Sequence, residues 1–131
     1  MSVATPSLLL RAQSGAADTA QAMAELLGKL PLADLSALVL FVGEGHDLRA
    51  IEQALAPLPR DLAILGCTTA GEIGAGGYLQ GHLVALGFPR ALFRVATGLL
   101  PNLGSFQPEI ARDLAFELRA ELTFSTADWT N

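Results

Sequence analysis

Two short stretches hold most of the side chains able to do chemistry: Gly43-Glu44-Gly45-His46-Asp47 and Gly66-Cys67-Thr68-Thr69-Ala70-Gly71-Glu72. Six glycines fall between Gly66 and Gly81, and Glu72 is the sole acidic or basic side chain between Asp61 and Arg90, histidine aside. The Gly66–Gly71 spacing is that of a phosphate-binding loop. That loop needs Lys and Ser or Thr next, whereas Glu72 and Ile73 follow, and a carboxylate repels a phosphate. The sequence Gly43–Leu48 lacks the third glycine of a dinucleotide fingerprint. Cys67 could be a nucleophile with His46 or His82 as base, yet one Cys and two His are no signature, and Cys is often a small buried residue at a strand end. His46 can bond locally in its loop or ligate a metal or haem. Glu72, in apolar surroundings, needs an Arg, backbone N–H groups, a ligand cation, or water.

The flanking patterns predict the elements that position these residues. Residues 7–13 and the apolar runs 37–42 and 62–67 read as strands, the latter two buried on both faces. Met23, Leu26, Leu27 and Leu30 recur at helical spacing, with Ser14 or Asp18 as cap. Asp47 caps a second helix whose buried stripe is Leu48, Ile51, Leu55 and Leu58. This is a parallel βαβαβ start, which brings the carboxyl ends of the second and third strands, and so both chemical stretches, to one rim. The runs 82–88 and 92–98 then predict an antiparallel hairpin, with His82 on a solvated face. Pro108 opens a last helix with Ile110, Leu114, Leu118 and Leu122 on one side. The expected fold is α/β, a mixed sheet with helices packed on it, in a single domain over residues 1–131 with a poorly ordered polar tail at 123–131. Gly66 and Gly71, at a strand-ending turn, are expected to need positive φ or a close backbone approach.

Composition narrows the function. The chain of 131 residues is half hydrophobic and 16% charged, enough apolar material for a core. A net charge of −5 with a single Lys (Lys29) and scattered Arg disfavours nucleic-acid binding. One cysteine allows no internal disulfide, and neither a signal peptide nor a membrane span is legible, so a cytoplasmic protein is expected.

The octet Gly66–Ile73, "GCTTAGEI", resembles the signature of the FIST N-terminal domain, a bacterial sensory module. The likeness extends over residues 37–98, through "ALVLFVGEGHDLRAIEQAL" and "GGYLQGHLVALGF". It implies ligand sensing rather than catalysis, with signalling partners such as histidine kinases or cyclic-di-nucleotide enzymes. Amino acids are among the ligands suggested for the family, and some members are similar to haem-based nitric-oxide sensors. The resemblance also implies that the chain is part of a longer domain. Residue types add a specific expectation: a glycine turn with Thr68 and Thr69 can hold a carboxylate, and Glu72 an ammonium, the minimum for a zwitterion. The expected ligand-binding residues are therefore His46, Cys67, Thr68, Thr69, Gly71 and Glu72, with no catalytic residue. The alternatives are haem on His46, or less readily on His82, and a structural or interaction module without ligand. Loss of covering sheet elements would expose an edge or a helix face, so a homo-oligomer is expected.

Overall fold

The computed structural model describes residues 8–70, 72–74, 77–79 and 81–126, with 72–74, 77–79 and 124–126 described by their backbone alone. The chain divides into two compact units, Met1–Phe93 and Arg94–Asn131.

The first unit is a four-stranded mixed sheet with two helices. Its elements run β1 (Leu10–Ser14), α1 (Thr19–Gly28), β2 (Leu35–Val42), α2 (Leu48–Leu55), β3 (Ala63–Thr68), the short β4 (Glu72–Gly74) and β5 (Gly77–Leu79), and β6 (Leu83–Pro89). Strand order is β1-β6-β2-β3. β2 and β3 pair in parallel, from Ala37 with Ala63 to Val42 with Thr68, so the β2-α2-β3 unit forms as expected. β1 is also parallel to β2 but is not its neighbour, because β6 lies between them and pairs antiparallel with both.

That insertion relocates the expected hairpin. An antiparallel hairpin is present, but it joins β4 to β5. Residues 92–98 form no strand. A strand has two hydrogen-bonding edges, and both edges of β6 are taken by β1 and β2. The chain instead turns at Pro89, whose carbonyl accepts from the N–H groups of Leu92 (3.0 Å) and Phe93 (2.9 Å). Phe93 returns edge-on to Phe88, ring centres 5.4 Å apart.

One face of the sheet is covered by the two helices. Met23, Leu26, Leu38 and Leu83 are wholly inaccessible there, each such side chain contributing roughly 1.5–3 kcal/mol of burial. Asp18, not Ser14, caps α1: its carboxylate accepts from the N–H of Gln21 at 3.0 Å. Ser14 ends β1 and donates to Glu25 Oε2 at 2.6 Å. Asp47 caps α2 as expected, accepting from the N–H of Arg49. Ile51 is buried beneath α2, but Leu48, at its first turn, is 58% exposed and stands outside the expected stripe.

β3 departs most from expectation. It reads as a strand buried on both faces, yet Leu65 is 43% exposed and Gly66, Cys67 and Thr68 are exposed. Among the described residues β3 pairs with β2 alone. A terminal strand has one flank in water whatever its hydrophobicity, and position in the sheet is not written in the strand's own residues.

In the second unit Asn102, at φ 57°, precedes a short 3-10 turn, and α3 spans Pro108–Thr126. Helix therefore continues into the expected tail. Leu114, Leu118 and Leu122 are half-buried, whereas Ile110 is exposed. Gly98 passes beneath Leu114, where a Cβ would come within 2.7 Å of Leu114 Cδ1. Among the described residues no helix is long and apolar enough to cross a membrane.

Candidate functional site

β2 and β3 end side by side. The chain leaves β2 through Gly43–His46, and the parallel ladder runs one rung past β3, where the Thr69 N–H donates to the Val42 carbonyl at 2.8 Å. Between these ends lies a cleft of about 340 Å³ lined by Val42, Glu44, His46, Leu48, Thr68 and Thr69, among others. It occupies the crevice outside the carboxyl ends of parallel strands, the usual ligand position in such sheets.

The His46 ring is held from two sides. Its Nε2 lies 2.7 Å from the Gly81 carbonyl oxygen, which can only accept, so Nε2 carries the proton. In the neutral ring Nδ1 is then an acceptor, and the Thr19 hydroxyl donates to it at 3.1 Å. Thr19 Oγ1 in turn accepts from the Asp47 N–H at 2.9 Å. The Gly43 N–H donates to the His82 carbonyl at 2.9 Å. Two glycines make this possible: Gly45 (φ 89°) turns the chain into His46, and Gly81 (φ 69°) aims its carbonyl at the ring.

The arrangement decides the fate of several expected residues. His46, Thr68 and Thr69 share the cleft. Cys67 is exposed, not buried, and lines an adjoining groove. Gly71 lies outside the described residues; Glu72 begins β4, and its side chain lies outside them too. Gly66 is an ordinary strand residue without positive φ; a Cβ there would meet Leu40 O at 3.4 Å and Leu40 Cβ at 3.5 Å, ordinary contacts. The expected strain at Gly66 is absent because the turn begins only after Thr69. His82 is half-buried rather than solvated, its ring against Gly15.

Haem or metal ligation does not fit His46 well. Iron would have to displace either the Gly81 carbonyl or the Thr19 hydroxyl from the ring. Among the described residues no group of three His, Cys, Asp or Glu could hold a metal ion. Two residues at the site are not among the expected ligand-binding residues. Glu44 brings a carboxylate to the cleft, and Thr19, 6% exposed, fixes the ring of a histidine 27 positions away. For Thr19 no local signal exists: a Thr just after a helix cap looks like any other.

The model of the FIST N domain matches residues 36–130, from the start of β2 through α3. The chain belongs to the FIST N domain family. FIST domains are sensory modules of signal-transduction proteins, and the family is not a catalytic one. In this FIST domain β1, α1 and Thr19 precede the matched segment, so the latch on His46 is partly built from residues outside it. No match is found among curated proteins or solved structures.

Proposed function

We infer that this FIST domain senses a small zwitterionic ligand, an amino acid, bound in the cleft at the carboxyl ends of β2 and β3. The observation that carries the reading is the cleft itself: Thr68 and Thr69 on one wall, Glu44 and the His46 loop on the other. Its size, near the small end for ligand pockets, suits an amino acid better than a nucleotide. The ligand carboxylate is assigned to Thr68 and Thr69, with Gly71 as a further proposed contact. Its ammonium is assigned to a carboxylate, either Glu44 or Glu72. Cys67 stands at the margin and takes no chemical part. His46 positions the loop rather than ligating iron. Occupancy is relayed to a signalling partner, such as a histidine kinase or a cyclic-di-nucleotide enzyme, and the domain works as a homo-oligomer.

A thermal-shift screen of the twenty amino acids tests this by linkage, since a ligand that binds only the folded state raises Tm. No shift from any of them, on folded and ligand-free protein, ends the proposal. Glu44→Gln and Glu72→Gln then identify the ammonium site; the correct one weakens binding by about 1–3 kcal/mol. A Soret band from added haemin that is lost on His46→Ala would instead support the haem reading.

A further inference from the structure

The cleft does not end at its polar walls. A second cavity of about 290 Å³ runs on from it between α2 and β3, and the two share Val42, Leu48 and Thr68. Its walls are Leu48, Ile51 and Leu55 from α2 and Leu40 and Ile64 from the sheet. Gly66 contributes no side chain and leaves the floor open on the helix-covered side. None of the residues lining this groove carries a charge, whereas the cleft beside it carries Glu44 and His46. A ligand seated in the cleft thus meets polar groups at one end and a continuous apolar channel at the other.

We propose that the ligand of this domain is an amphiphile: a charged end in the cleft and a branched or aromatic apolar side chain along the α2–β3 groove, with Gly66 keeping that groove open. The inference rests on the cleft reading above and narrows it. A small side chain leaves the groove to water and gains nothing from Ile51, Leu55 or Ile64. A charged one is drawn from water into a channel with no counter-charge. An apolar one is favoured in proportion to the surface it buries, roughly fourfold in affinity for each methylene enclosed.

The test is calorimetric titration of the full chain with glycine, alanine, leucine, phenylalanine, aspartate, lysine and 4-methylvalerate, which is leucine's skeleton without the ammonium. Leucine or phenylalanine binding at least tenfold tighter than alanine, with aspartate and lysine weaker still, is expected. Gly66→Val, which fills the floor, and Leu55→Ala, which cuts back a half-buried groove wall that does not border the cleft, should each erase that preference and leave alanine's affinity unchanged. Circular dichroism confirms that both variants fold, and Leu55→Ala alone suffices if Gly66→Val does not. Binding by amino acids regardless of side chain, or tightest for aspartate or lysine, overturns the groove and keeps the cleft. Binding of 4-methylvalerate with none by any amino acid supports the amphiphile and overturns the zwitterion. No binding by any of the seven overturns both.

Discussion

The two walls of the cleft are built in opposite ways. The His46 loop is tied down from outside its own strand, to α1 through Thr19 and to the chain entering β6 through Gly81. The Thr68–Thr69 wall is the end of a terminal strand, attached to the sheet through β2. One wall is tied by side-chain hydrogen bonds to distant segments, and the other continues the ladder between β2 and β3. A wall preorganised by such long-range bonds costs little to bind against.

The comparison breaks most readily at Thr19. Thr19→Val keeps the shape and removes the hydroxyl, stranding His46 Nδ1 and the Asp47 N–H; urea denaturation should show a loss of about 1–3 kcal/mol. Wild-type stability would mean that the loop holds itself. The next contrast lies between two strand glycines. At Gly87, in central β6, a Cβ would sit 3.0 Å from Cδ1 of Leu35, which is fully buried. Gly87→Ala is expected to cost about 1–3 kcal/mol, as overpacking does. Gly66→Ala, on the outer strand, should change stability by less than about 1 kcal/mol. Equal costs would erase the distinction between centre and edge.

A third test probes the outer strand directly. β3 carries no charge and no proline to discourage pairing with another chain, and Leu65 is exposed on it. Two-fold association through this edge is expected at micromolar concentration by light scattering, and Leu65→Lys should yield a 13.7 kDa monomer. A wild-type monomer rejects the edge as an interface. The smallest effect belongs to the tied-down side. The Ser14 hydroxyl, then Gln21 and the Lys29 charge, lower the pKa of Glu25 below the ordinary value of 4.5. A depressed folded pKa contributes stability that is complete above the unfolded value and fades as pH falls through the folded one. The Tm difference between wild type and Ser14→Ala should therefore shrink between pH 6 and pH 3, these bounds lying roughly either side of carboxylate titration; a constant difference would assign Ser14 to packing alone.

What was legible in the sequence follows the same division. Strand 37–42, the Asp47 cap, the β2-α2-β3 unit and the meeting of His46 with Thr68 and Thr69 all follow from local pattern and one handedness rule. The slot of β6 and the exposure of β3 do not, since a buried central strand and an apolar edge strand share the same composition. Leu48 was misjudged because helical spacing gives the direction of a stripe but not where its neighbours stop. Thr19 was illegible for a simpler reason: its partners lie 27 and 28 positions further along the chain.

The strand order also bears on how the chain reaches its fold. β1, α1, β2, α2 and β3 are all synthesised before β6, yet β1 joins the sheet only through β6, which lies between it and β2. A nascent chain with only its first 80 or so residues out of the ribosome, roughly the stretch before β6, lacks the strand that both β1 and β2 pair with. Its longest pairing, Leu10 with Gly87, spans most of the first unit, and such closures are slow because loop entropy is lost before any contact rewards it. Leu83–Pro89 thus completes the sheet, and the His46–Gly81 bond ties the loop after β2 to the residues that lead into that strand.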